Sequence, residues 1–259
     1  MNDVVRMETE GAVTTVTVDS PEYRNSMGAP GVREGLAAAV DAFEAEAGQR
    51  VLVLTGANGT FSAGGNLKVL KGLRTREAME NRITKGGGTI GTILRSDKLY
   101  IAAVEGPAFG AGVGLAAACD LVIAADGARF CAAQIRVGAS PDGGMFWSVP
   151  RRMGRAAAKR LLLTGDEIDQ AAALASGLAD YAAPDGGALE AAQKLARRLA
   201  FGPPLAQATV KRFFARDIAG LDPVLDWERD TAIDNFLTDD FAEGAAAFLE
   251  KRRPTFRGS

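Results

Sequence analysis

Ile101–Asp120 reads IAAVEGPAFGAGVGLAAACD, and upstream of it Val51–Leu67 reads VLVLTGANGTFSAGGNL. Each segment starts as a short apolar strand, breaks into glycine and other small residues, and re-enters an apolar, helix-compatible stretch. Two such strand-to-helix turns aim backbone N–H groups at a shared point, the arrangement that holds a developing oxyanion. Taken alone, the glycines also fit a plain role in tight turn geometry. Gly110–Gly114 (GAGVG) departs from the dinucleotide-binding fingerprint, because Leu115 stands where the third glycine is wanted.

Working outward, strands and helices alternate, which predicts an α/β chain. Strands are expected at Val13–Val18, Gln49–Thr55, Leu99–Glu105 and Leu121–Ala125. Helices are expected from about Pro30 to Ala47, after Gly110 through Ala118, over Ala156–Leu163, and over Leu189–Ala200. Asp166 is the candidate N-cap of a further helix ending at Gly177. Leu67–Met79 favours helix, whereas the KGGGTIG run at Lys85–Gly91 reads as mobile. After Gly202-Pro203-Pro204 the chain shifts to helices rich in Phe and charge, so residues 1–200 are expected as a core and 201–259 as a helical region. Periodicity leaves open whether the core is a doubly wound sheet, a barrel or a spiral.

Composition removes several chemistries. There are 259 residues, and at 47% hydrophobic and 24% charged they can bury a sizeable core. Thirty Lys and Arg against 32 Asp and Glu give a formal charge of −2, and so no electrostatic case for nucleic acid or an anionic membrane. The chain contains no histidine, which excludes Ser-His-Asp and Cys-His catalysis, His-ligated metals and imidazole acid–base chemistry. Cys119 and Cys131 form no disulfide framework and no metal-ligand spacing, so no metal is expected. No membrane-spanning run is present, and MNDVVRMETEG lacks a signal-peptide pattern, so a reduced, cytoplasmic setting is expected.

Five pieces, in order, carry a resemblance over essentially the whole chain: SPEYRNSM, VLTGANGTFSAGGNL, IAAVEGPAFGAGVGLAAACDLVIA, ARFCAAQIRVGASPDGG and FLEKRRPTF. Together they resemble the crotonase (enoyl-CoA hydratase/isomerase) superfamily. The resemblance implies a ββα spiral core with a C-terminal helical trimerisation region, assembled as a homotrimer or as a hexamer of two trimers. It also implies an acyl-CoA thioester as ligand, with coenzyme A arriving as part of the substrate and no other cofactor.

Carried onto this chain, the resemblance puts the backbone amides of Ala63 and Ala111 in the oxyanion hole. Hydratases of the family hold a water between two glutamates, but here Gly114 stands at the first position and Gln134 at the second. A glycine has no side chain and a neutral amide exchanges no proton at pH 7, so hydration by the usual pair is not expected. Asp142, in Pro141-Asp142-Gly143-Gly144, matches the loop of isomerase-like members and is expected to point into the acyl pocket as the proton shuttle. The same four residues also make a strong turn signal in their own right.

Arg24, Lys68 and Lys251 are candidate contacts to the coenzyme A phosphates, or else solvated surface cations. Asn66, Gln134 and Trp147 are candidate substrate-binding residues, with Tyr100 beside Trp147 as a wall of the acyl pocket. The leading expectation is an isomerase that moves a double bond or rearranges a ring through a thioester enolate. The alternatives are a hydratase or hydrolase using other residues, and a catalytically silent acyl-CoA binder.

Overall fold

The computed structural model describes residues 3–72 and 75–259. β1 (Val5–Glu10) and β2 (Val13–Val18) form an antiparallel hairpin turning at Gly11. α1 (Val32–Ala45) buries Val32, Leu36, Ala39, Val40 and Phe43, a stripe at helical spacing, and leads into β3 (Val51–Gly56). The first glycine segment follows, then α2 (Leu67–Gly72) and α3 (Arg76–Arg95). β4 (Leu99–Val104) and the short β5 (Pro107–Phe109) enter the second glycine segment, from which α4 (Ala111–Ala118) departs. Next come β6 (Leu121–Ala125), β7 (Arg129–Cys131), a single-turn 3-10 helix at Ala133–Val137, and α5 (Met145–Thr164). β8 (Ile168–Asp169), α6 (Gln170–Ser176), β9 (Tyr181–Ala183) and α7 (Ala188–Ala200) complete the core.

The main sheet runs β1-β2-β3-β4-β6-β9, and every pairing beyond the hairpin is parallel. Parallel strands covered on both faces need continuous apolar sequence, which explains why β3 is buried along its whole length. Alternate side chains serve opposite layers. Leu52, Leu54, Tyr100 and Ala102 pack toward α1 and α4, while Val51, Val53, Ile101 and Ala103 pack under Ala192, Leu195 and Ala196 of α7. A second sheet, β5-β7-β8, stands beside the first, and a parallel bridge from Ser62 to Ala108 attaches the first glycine segment to it. These layers belong to the α/β class and the ββα spiral core that the sequence leads one to expect.

After Pro203, α8 (Pro204–Phe214), α9 (Leu221–Phe236) and α10 (Asp239–Leu249) form the C-terminal helices. Arg50 ties the tail back by donating to the carbonyls of Ala200 (2.9 Å) and Phe256 (2.6 Å). The buried Asp240 carboxylate accepts from the amides of Arg257 and Gly258. Among the described residues no helix is long and apolar enough to cross a membrane.

Three local expectations are corrected. The glycine run at 85–91 is helical, inside α3. Glycine disfavours helix by about 1 kcal/mol each relative to alanine, but burial of Ile90 and Ile93 offsets this, and Thr75 caps the start by accepting from the Ala78 amide. α5 begins at Met145, well before the expected Ala156; Pro150 and the non-helical Gly154 (φ 73°) disguise its first half. The N-cap of α6 is Asp169, whose carboxylate accepts from the Ala172 amide at 2.9 Å, and not Asp166.

Candidate active site

The two glycine segments lie side by side. Ser62 donates from its amide to the Pro107 carbonyl (2.9 Å), and the Phe109 amide donates back to the Ser62 carbonyl (2.8 Å). A Cβ on Gly64 would lie 2.5 Å from the Phe109 carbonyl oxygen, so the backbones touch there and only glycine fits. Gly110 then turns the chain at φ 52° and releases α4 with the first-turn amide of Ala111 unpaired among the described residues. The helix dipole adds partial positive charge at that end.

The other amide is not the expected one. Ala63 donates its N–H to the Arg24 carbonyl at 3.0 Å, and Met27 donates to the Gly64 carbonyl at 2.8 Å. In an extended chain successive amides point to opposite sides. Ser62 faces β5, so Ala63 faces residues 24–27 and its N–H is engaged there. Ala63 is therefore corrected as a donor. Gly65, beyond the left-handed Gly64 (φ 83°), lines the same cavity as Ala111, and its N–H has no protein acceptor among the described residues. Residues 24–27 are held by the buried Asn25, which accepts from the Ser20 amide and donates to the carbonyls of Ala57 and Thr60.

Gly65 and Ala111 open onto a cavity of about 1170 Å³. Its wall is largely apolar, with Leu36, Leu70, Met79, Ile83, Ile90 and Leu115 among the lining residues. The far rim is the loop after the 3-10 turn. There Asp142 is the only acid lining the cavity among the described residues, and Gln134 Nε2 donates to its Oδ1 at 3.1 Å. The Asp142 side chain is exposed at the rim, which corrects the expectation of an aspartate sunk in an apolar pocket. Gln134 Oε1 is buried with no hydrogen-bond partner among the described residues.

Position 114 is closed off. A Cβ there would lie 2.5 Å from the Gly143 carbonyl oxygen and 3.2 Å from Met145 Cγ. The loop carrying Asp142 therefore fills the space in which a longer residue at 114 would place its side chain.

The remaining expected site residues separate into two groups. Asn66 is a structural cap, its Oδ1 accepting from the amides of Lys68 and Val69 at the start of α2. Arg24 is exposed with φ 50°, and Lys68 is also exposed; of the two, only Arg24 touches the site, through its carbonyl. Trp147 and Tyr100 line a different cavity, of about 820 Å³, behind α4 and α8, so neither shapes the wall that Asp142 faces. The Trp147 ring lies under the Arg151 guanidinium, while Tyr100 is buried and donates its hydroxyl to Glu44. Lys251 lies past α10 and lines neither cavity.

Other ionisable groups serve the fold. Glu105 caps α7 by accepting from the amides of Gly186 and Ala188, and Asp120 pairs with Lys211 at 2.9 Å. Burial pushes the Cys119 thiol up to about 12, and burial also raises the Cys131 thiol, so neither is a ready nucleophile. Among the described residues no group of three His, Cys, Asp or Glu side chains is placed to hold a metal ion.

Residues 8–259 match the family model described as enoyl-CoA hydratase/isomerase. The chain is 34% identical over 259 residues to a probable enoyl-CoA hydratase of Rhizobium meliloti, with 98% of each chain covered. It is 33% identical over 262 residues to the 1,2-epoxyphenylacetyl-CoA isomerase of Escherichia coli, with 100% of each covered. Among solved structures, an enoyl-CoA hydratase from Polaromonas superposes with a TM-score of 0.92 at 37% identity, covering 98% of this chain and 99% of that one.

Proposed function

The chain belongs to the enoyl-CoA hydratase/isomerase family and has the crotonase fold, and from that premise we propose that it is an acyl-CoA isomerase. The thioester oxygen sits between the Gly65 and Ala111 amides, which hold the enolate formed when a proton leaves the acyl chain. Asp142 takes that proton from the carbon alpha or gamma to the thioester as the double bond moves, and returns it to the other carbon. One carboxylate suffices, because the group that takes a proton from one carbon is the group that returns a proton to the other.

The carrying observation is the Gly143 carbonyl beside Gly114. With that space filled and an amide at Gln134, no pair of carboxylates among the described residues lines the cavity to hold a water for addition. The name of the Escherichia coli relative supports isomerisation, while the name of the Rhizobium relative supports hydration. Hydration has one feature in its favour here: the unpartnered Gln134 Oε1, which could accept from a water. Exposed apolar side chains on the C-terminal helices, including Phe214, Leu237 and Phe248, support self-association as a trimer or as a hexamer of two trimers.

Asp142→Asn tests the assignment. The carboxylate is lost with its shape kept, so turnover of an accepted enoyl-CoA should fall by about 10²- to 10⁴-fold, the usual weight of a general acid–base group, while thioester binding persists. Unchanged turnover would remove Asp142 from the mechanism. Binding without turnover of any enoyl-CoA by the unaltered protein would favour a silent binder.

A further inference from the structure

The cavity wall is not uniformly apolar. Arg33 reaches it from α1 and Arg82 from α3, with Lys71 and Arg136 also on the wall and Asp142 the only acid there among the described residues. Arg33 Nη1 donates to the Arg82 carbonyl at 2.8 Å, which fixes the guanidinium in place. Its Nε is shut off from solvent and has no hydrogen-bond partner among the described residues. The Arg82 guanidinium lies against the 26–28 loop, where a Cβ on Gly28 would come within 2.9 Å of Nη2.

Burial and the neighbouring Arg82 charge both pull the Arg33 pKa down, opposed by Asp142 and Glu34. A half-buried cation facing a second cation is unfavourable unless an anion completes it. A wall built only to hold a hydrocarbon chain would place leucine there. The phosphates of coenzyme A are a poorer match for this site, because Leu36, one turn along α1, lines the same largely apolar wall.

We infer that the acyl group accepted by this cavity carries a carboxylate, received by Arg33 with Arg82 behind it. The inference rests on the thioester reading above and names the substrate class within it. Guanidinium and carboxylate match in shape and charge, and such a pair inside a largely apolar wall selects strongly against an uncharged chain end.

The test compares two enoyl-CoA esters of equal length, one ending in a carboxylate and one in a methyl group, with coenzyme A itself as the third ligand. Dissociation constants are measured by calorimetry on the unaltered protein, Arg33→Met and Arg82→Met. The unaltered protein should prefer the carboxylate ester. Arg33→Met should weaken that ester by about 10- to 100-fold, the scale of a charge-assisted hydrogen bond lost from a buried site, and leave the methyl ester and coenzyme A unmoved. Arg82→Met keeps the backbone carbonyl that accepts from Arg33, so it reads the same selectivity with the α1–α3 contact intact. Preference for the methyl ester, or equal weakening of all three ligands, would overturn the inference and leave the thioester reading standing. Failure of coenzyme A and both esters to bind would overturn both.

Discussion

The amide-built half of the site and its side-chain half differ in how they are held. Residues 61–65 and 107–111 are paired to each other by backbone hydrogen bonds, and Ala63 and Gly64 are paired again to residues 24–27; Phe61, Ser62 and Ala108 are buried. Residues 134–144 form a 3-10 turn and a rim loop in which Ile135–Ser140 and Asp142 are exposed. The backbone pairing of the first half cannot change without changing the fold, whereas the second half can exchange side chains at little structural cost. That difference teaches where the reaction is decided. Under the proposed mechanism the fold would supply a place for negative charge on a thioester oxygen, and the rim loop would decide which proton moves.

The largest effect that sharpens the contrast after loss of Asp142 is removal of one amide. Ala111 is the first residue of α4, where proline is tolerated because its missing N–H has no helical partner. Ala111→Pro should leave the melting temperature nearly unchanged and lower kcat by about 10²- to 10³-fold, as for other lost oxyanion donors. An unchanged kcat would break the amide half of the account.

Gly114→Ala probes the point where the halves touch. Its Cβ would press on the Gly143 carbonyl, so thermal or denaturant unfolding should show a loss of about 1–3 kcal/mol, typical of overpacking. An unaltered stability would mean that the rim loop gives way freely and that position 114 is open after all.

The smallest effect lies outside both halves. Donation by Arg252 and by the Thr255 amide, with Arg252 the larger influence, lowers the Glu243 carboxyl from 4.5 to about 2. A depressed carboxyl stabilises the fold above its unfolded value and loses that contribution as pH falls through the folded one. The melting temperature of Glu243→Gln should therefore sit slightly below that of the unaltered protein at neutral pH, and the gap should close between pH 4.5 and about 2. A gap independent of pH would remove the carboxylate from the tail clasp.

Much of the fold was legible because buried parallel strands and amphipathic helices leave periodic marks. β5, β7, β8 and β9 escaped, being two or three residues long with no period to read. In α3 the glycines spoke against helix, and only the packing of Ile90 and Ile93 against the core settles it. Within the site, the place of Ala111 at the start of a helix and the absence of a side chain at 114 could be read directly. The choice of Gly65 over Ala63 could not, because it depends on which neighbour each amide faces. The parity of an extended segment starting at Ser62 was the available signal. Trp147 and Tyr100 were assigned to the wrong cavity because the sequence does not say which face of a helix or sheet a ring occupies. Arg33 and Arg82 carry no mark in the sequence, because only the packing of α1 and α3 brings them to one wall.

The most direct measurement is product analysis in deuterated water. The protein is incubated with an enoyl-CoA it accepts, and the acyl group is examined by mass spectrometry and proton NMR. A proton shuttle on one exposed carboxylate predicts a shifted double bond, with deuterium at the alpha or gamma carbon and no hydroxyl added. A hydroxyacyl thioester as the main product, formed at the same rate by Asp142→Asn, would contradict it.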